Sequence, residues 1–214
     1  VKIIKVIAFN GSPKSEGNTY HALKIMESEF EKEKIEVEII QVGNKKIRGC
    51  LACNECVKSQ DERCIIDDQV NGWIQKMKNA DGIILGSPVH YAAIAGTMKS
   101  FLDRAFYVAS VNGMIFRHKV GAPVVAVRRS GGLPTFNQLS NYLNYSEMMI
   151  PTSNYWNVIH GTSPGDALKD KEGKQIMRVL AKNMAYLMKL KKAGENEVKA
   201  PEQEKKEFMN FIRE

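Results

Sequence analysis

Ile3-Ile4-Lys5-Val6-Ile7-Ala8-Phe9 runs straight into Asn10-Gly11-Ser12-Pro13-Lys14-Ser15-Glu16-Gly17-Asn18-Thr19, after which Leu23, Met26 and Phe30 recur at helical spacing as far as about Lys32. The first run is almost continuously apolar, as expected of a strand covered by helices on both faces. The last carries one buried stripe at i, i+3 and i+7. A strand, a Gly/Ser-rich loop and a helix in that order form the opening unit of an open parallel sheet. Ligands bind such sheets at the loops leaving the carboxyl ends of the strands.

The pattern then repeats. Residues 35–42 alternate as a second strand, and Asp67 or Asp68 can cap a helix carrying Val70, Trp73, Ile74 and Met77. Residues 81–86 read as the third strand, 96–108 as a helix, 120–127 as the fourth strand and 136–143 as a helix. Residues 149–158 read as the fifth strand, and Ile176, Val179, Leu180, Met184, Leu187 and Met188 stripe the last helix. Five such units predict an α/β fold, a doubly wound five-stranded parallel sheet with helices on both faces. One domain is expected over residues 1–190, with a cysteine-rich insertion at 48–66. Residues 191–214 form a charged tail broken at Pro201, with Phe208, Phe211 and Ile212 expected on a terminal helix.

Composition narrows the classes. The 214 residues are 43% hydrophobic and 26% charged, as in ordinary globular proteins. No apolar run approaches the ~20 residues of a membrane span. The first residues are too interrupted by lysine for a signal peptide, so a cytoplasmic location is expected. The formal charge of +7 is dispersed and interleaved with glutamate, as in Glu29-Phe30-Glu31-Lys32-Glu33-Lys34, which does not suit nucleic acid. It suits anionic cofactors or an acidic electron-transfer partner.

Three loops are expected at one sheet edge. In the first, Ser12, Ser15, Asn18 and Thr19 surround a helix N-terminus, where free N–H groups and the helix dipole favour an anion. The loop matches neither G-x-G-x-x-G nor G-x4-G-K-[ST]; a terminal phosphate monoester fits it, and a plain helix cap worth about 1 kcal/mol is the alternative. The second, Gly86-Ser87-Pro88-Val89-His90-Tyr91-Ala92-Ala93-Ile94-Ala95-Gly96, lets backbone approach a flat ring, with Tyr91 as a stacking face. His90 either donates to a ring oxygen or packs on a neighbouring loop. The third, Arg128-Arg129-Ser130-Gly131-Gly132, is rich in backbone donors.

The only cysteines are Cys50, Cys53, Cys56 and Cys64, spaced C-x2-C-x2-C-x7-C. A disulfide framework would spread its cysteines to close long loops. Soft thiolates this close together suit a compact iron–sulfur cluster, while a tetrahedral zinc or four reduced thiols are the alternatives.

Gly11-Ser12-Pro13-Lys14 with Asn18-Thr19, Gly86 to Tyr91 with Met98 to Arg104, residues 126–132 and Tyr155-Trp156-Asn157 together resemble the flavodoxin-like NADPH-dependent FMN reductases. The cysteine spacing is similar to that of the iron–sulfur flavoproteins within that group. The resemblance implies FMN, its phosphate on Ser12, Ser15, Asn18 and Thr19, with Pro13 and Lys14 also cofactor-binding. It implies a ring against Pro88, Val89, His90 and Tyr91, with Gly131 and Gly132 on the other side and Arg129 and Ser130 also cofactor-binding. It further implies a [4Fe–4S] cluster on Cys50, Cys53, Cys56 and Cys64, and a homodimer or homotetramer. The chemistry would be flavin-centred, with His90 and Tyr91 as modulators and no catalytic side chain. Electrons would come from ferredoxin or NAD(P)H and pass to a small-molecule acceptor. One alternative is an NAD(P)H-dependent FMN, quinone or azo reductase whose cysteines are free or bind zinc. Another is a non-catalytic flavin- or metal-binding regulator.

Overall fold

A computed structural model of the chain describes residues 3–209. Its strands, in chain order, are β1 (Lys5–Asn10), β2 (Glu36–Gln41), β3 (Gly82–His90), β4 (Ala93–Ile94), β5 (Val120–Val127) and β6 (Val158–His160). The two-residue β4 folds back antiparallel on β3, and the other five pair in parallel in the order β2-β1-β3-β5-β6. The chain winds outward from β1 in one direction and then, through β3, in the other. This is the expected doubly wound sheet.

The helices are α1 (Asn18–Lys32), α2 (Glu55–Ser59), α3 (Gln69–Asn79), α4 (Gly96–Val111), α5 (Gly132–Tyr145) and α6 (Lys171–Ala193). Alternate residues of β1 feed two cores. Val6 and Ala8 join Leu23, Met26 and Phe30 of α1 and Leu180 and Met184 of α6. Ile7 and Phe9 join Ile74, Phe101, Leu102 and Leu139 of α3, α4 and α5 on the opposite face. All of β5 is buried, whereas edge strand β2 alternates, matching the continuous and alternating apolar runs of the sequence. The ring of Phe101 lies 4.6 Å from that of Phe9 and 5.4 Å from that of Trp73, clamping α3 and α4 to β1.

Three expectations need correction. The fifth strand is Val158–His160, not residues 149–158. Met149 pairs briefly with Val120, but Pro151 has no N–H for the ladder, and the chain leaves the sheet until the Asn157 carbonyl accepts from the Val125 amide at 3.0 Å. The excursion leaves Tyr155 and Trp156 exposed. The third strand runs on to His90, and Tyr91-Ala92 forms a tight hairpin to β4, with φ of 50° and 60°. Two positive φ values match the right-handed twist of paired strands, although neither residue is glycine. Finally, residues 199–209 of the tail hold no helix. Pro201 and a run of charges leave them without an apolar stripe, and Phe208 is exposed. Phe211 and Ile212 lie outside the described residues.

Among the described residues no helix is long and apolar enough to cross a membrane. Replacing Phe101 by alanine should cost about 3–5 kcal/mol of unfolding free energy in urea titration. A loss below about 1 kcal/mol would show that this aromatic cluster does not clamp the two layers.

Candidate functional site

The loop from Asn10 to Asn18 owes its shape to one buried amide. Asn10 Nδ2 donates to Gln41 Oε1 at 2.6 Å and to the Ser15 carbonyl at 3.2 Å, while Asn10 Oδ1 accepts from the Ser12 amide at 3.1 Å. Gln41 Nε2 donates to the Ser12 carbonyl at 2.6 Å, and Ser12 Oγ accepts from the Lys14 amide at 3.1 Å. Gly43 closes the loop from behind. A methyl group there would run into the backbone of Gly11 and Ser12.

The loop delivers the chain to α1 in an unfinished state. Its N-cap, Gly17, has no side chain to cap the first turn. Thr19 is 1% exposed, and its hydroxyl Oγ1 is buried with no hydrogen-bond partner among the described residues. An unpaired buried hydroxyl costs about 1–3 kcal/mol. A phosphate at the helix N-terminus would remove that cost and meet the free amides of the first turn.

A cleft of about 210 Å³ opens there, lined by Ser12, Pro13, Lys14, Gly17, Asn18 and Thr19, by Pro88, Val89 and His90, and by Ala126, Arg128, Gly161, Thr162 and Pro164. The walls come from the carboxyl ends of β1, β3, β5 and β6, where an open α/β sheet holds its ligand. Eight expected residues meet on this cleft. Ser15 does not; its carbonyl and hydroxyl are turned to Asn10 and Asn44. Tyr91, at the hairpin tip, is fully exposed and outside the cleft. Arg129, Ser130, Gly131 and Gly132 line a neighbouring cleft of about 290 Å³ with Tyr155 and Trp156. Gly131 has φ of 90°, and a Cβ there would lie 2.9 Å from Ala92 Cα and Val89 Cγ1, so the β5 loop packs directly on the hairpin.

The wall formed by Gly161, Thr162 and Pro164 was not anticipated. Gly161-Thr162-Ser163-Pro164-Gly165 has the composition of the other ligand loops, but placing the last strand at 149–158 detached it from a strand end. Asn18 also does more than face the cleft, since its Oδ1 accepts from the Ala167 amide at 3.1 Å and ties this loop to α1. Arg128 adds a cation beside Lys14.

The cysteines occupy a separate, tightly turned segment beside α4. Ala52, Asn54, Gln60 and Glu62 all have positive φ, an unusual density for residues other than glycine. Asn112 Nδ2 donates to the Cys56 carbonyl at 3.2 Å and its Oδ1 accepts from the Glu62 amide at 3.0 Å. Asn71 grips Cys64, accepting from its amide at 2.7 Å and donating to its carbonyl at 3.0 Å. Cys50 and Cys53 are exposed, Cys64 is half-buried and Cys56 is buried. Burial pushes the Cys56 thiol up, and the nearby thiols of Cys64, Cys50 and Cys53 push it further.

Two sulfurs accept N–H donors: Cys50 Sγ from the Ala52 amide and Cys64 Sγ from Arg104 Nε, each at 3.4 Å. Among the described residues no three Cys, His, Asp or Glu side chains gather around a point fit for one metal ion. The donor chemistry fits an iron–sulfur cluster, in which each iron takes its own thiolate and N–H donors to sulfur offset the charge.

A sequence profile described as NADPH-dependent FMN reductase matches residues 4–163. An iron–sulfur flavoprotein of Methanocaldococcus jannaschii is 36% identical over 194 residues, covering 87% of this chain and 98% of its own. One from Archaeoglobus fulgidus is 30% identical over 172 residues, covering 79% of this chain and 83% of its own. Among solved structures, RosB with bound 8-demethyl-8-formylriboflavin-5′-phosphate superposes with a TM-score of 0.68 at 15% identity, covering 97% of each chain. An archaeal flavodoxin superposes with a TM-score of 0.59 at 16% identity, covering 87% of this chain and 99% of its own.

Thr19→Val should raise the ligand-free protein's unfolding free energy by about 1 kcal/mol, because it removes a polar atom that has no partner. A destabilisation of that size in urea titration would mean that the hydroxyl is satisfied without a ligand.

Proposed function

The chain belongs to the iron–sulfur flavoprotein / NADPH-dependent FMN reductase family, and from that premise we propose that it carries electrons between ferredoxin or NAD(P)H and a small-molecule acceptor by way of FMN and a [4Fe–4S] cluster. At the coarser level it is an FMN-dependent oxidoreductase of flavodoxin-like fold. The observation that carries the flavin assignment is the partnerless Thr19 hydroxyl at an uncapped helix N-terminus.

Bound FMN supplies one- and two-electron transfer, and a [4Fe–4S] cluster supplies one-electron transfer. The chain's own part is positional. Ser12, Thr19 and the amides of the first turn of α1 would hold the phosphate as neutral donors, with Lys14 and Arg128 to offset its charge at the rim. Pro88 and Val89 would offer an apolar wall to the flavin ring, and His90, Gly131 and Gly132 would help to hold it. No side chain needs to act as nucleophile or general base. Cys50, Cys53, Cys56 and Cys64 are the proposed cluster ligands, and four thiols in one segment suit a reducing cytoplasm. Tyr91, Tyr155 and Trp156 stand exposed around the open side of the clefts, which supports a homodimer or homotetramer in which a second copy covers them.

A second reading has one observation in its favour. Cys50 and Cys53 are exposed, and among the described residues no three potential ligands gather for one metal ion, as suits an NAD(P)H-dependent FMN, quinone or azo reductase without a cluster. Anaerobically isolated protein separates the two. The cluster reading expects about four iron and four sulfide per FMN, lost in Cys53→Ala with flavin retained. Flavin without iron or sulfide would decide for the second.

Ser12→Ala and Thr19→Val should each weaken FMN binding by about 1–2 kcal/mol, roughly tenfold in Kd by fluorescence quenching. Unchanged affinity in both would remove the phosphate assignment. For Thr19→Val the expected signs are opposite in the two states: more stable without FMN, weaker with it.

A further inference from the structure

Resting on the cluster reading above, we propose that Arg104 is a positioning residue that sets the redox potential of a cluster bound through Cys64. Its side chain is 0% exposed, an unusual place for a guanidinium, and every donor nitrogen is engaged. Nη1 and Nη2 fork onto the Asp68 carboxylate at 2.7 and 2.9 Å. They also donate to the Arg48 carbonyl at 3.4 Å and the Ile66 carbonyl at 3.0 Å. The fork leaves one nitrogen over, Nε, and it donates to Cys64 Sγ at 3.4 Å.

Helix capping does not explain this arrangement. Asp68 already caps α3 by accepting from the Val70 amide at 3.0 Å, a job that needs no arginine. What the arginine adds is a planar donor set that joins residue 48 on one side of the cysteine segment to residues 66 and 68 on the other. It also holds a positive charge against a sulfur in a buried setting. Donors to a ligating sulfur, and positive charge near it, favour the cluster state with one more electron. Asp68 works the other way, since its carboxylate partly cancels the guanidinium. The pair would therefore act as an opposed couple on the potential. A lysine could supply charge but not the fork and the extra N–H in one plane.

The test uses full-length, FMN-loaded, anaerobically reconstituted protein, with iron, sulfide and flavin quantified in the sample used for spectroelectrochemical titration. Arg104→Gln with iron retained should shift the oxidised-to-reduced ratio at the wild-type midpoint at least tenfold towards oxidised, or about 59 mV lower for a one-electron couple. Asp68→Asn keeps an oxygen to cap α3 and removes the opposing charge, so it should shift the ratio towards reduced. A purely structural strut would produce no shifts of opposite sign. The inference is overturned by an unchanged midpoint in iron-replete Arg104→Gln. If that variant cannot hold iron, an Asp68→Asn midpoint that is unchanged or lowered overturns it instead. Wild-type protein that carries FMN but neither iron nor sulfide would overturn the cluster reading beneath it, and the flavin measurement distinguishes that failure.

Discussion

Asn10 lies in register with Gly86, and Gly86 in turn with Val124. That alignment of three parallel strands is the constraint on which the binding edge depends. It brings the loops after β1, β3 and β5 to one level, where the Gly11 amide donates to the Gly86 carbonyl at 2.8 Å. A parallel ladder slips only by moving whole sets of side chains to the wrong face. Here Val6 and Ala8 are committed to one core and Ile7 and Phe9 to the other, so a one-residue slip would drive each pair into the wrong layer. The two apolar cores therefore position the polar site at their rim, where Ala126 and Val89 pass from core to cleft wall.

The same sheet edge concentrates polar groups that would be costly in isolation. Asn10 is fully buried, yet all of its amide chemistry is used in holding the loop. Thr19 is equally buried, and its hydroxyl is left unpaired. On the proposed reading the difference separates a scaffold residue from one that would meet a ligand: a satisfied amide stabilises the apo loop, while an unsatisfied hydroxyl would stabilise only the loaded one. The cost of about 1–3 kcal/mol is small beside a core of this size but comparable to tenfold in affinity, so it falls where a ligand can recover it.

Much of this was legible in the sequence because period and burial agree. β1, buried after Lys5, and the fully buried β5 read as continuous apolar runs, edge strand β2 as an alternating one, and Asp67 or Asp68 as a cap, of which the fold uses Asp68. The loop after β1 was legible as a wall of the cleft because composition and position in the unit point the same way. What escaped depends on three dimensions. The last strand is three residues long, too short for any periodicity, and Pro151 lies within the apolar stretch that was read in its place. The Tyr91-Ala92 turn uses residues with no turn preference, so nothing local announces it. Arg104 reads as one more charge on an amphipathic helix. Only the fold reveals that its helix face meets the cysteine segment, 40 residues back in the chain from the arginine to Cys64.

Helix α4 physically joins the two regions. Its start is pinned to the β3–β4 hairpin beside the cleft, because the Ala95 amide donates to the buried Ser87 hydroxyl at 3.1 Å. Arg104 lies eight residues beyond Gly96, at the helical rise about 12 Å along the axis. A helix with Phe101, Leu102 and Ala105 packed in the core is a stiff strut, so the spacing between hairpin and cysteine segment is fixed by packing and not by a loop. Such rigidity would suit the two redox groups of the proposed reading, whose exchange depends on separation. It also means that a core substitution on α4 would alter both regions at once, while a change in the cysteine segment would leave the β1 loop and its Asn10 network intact.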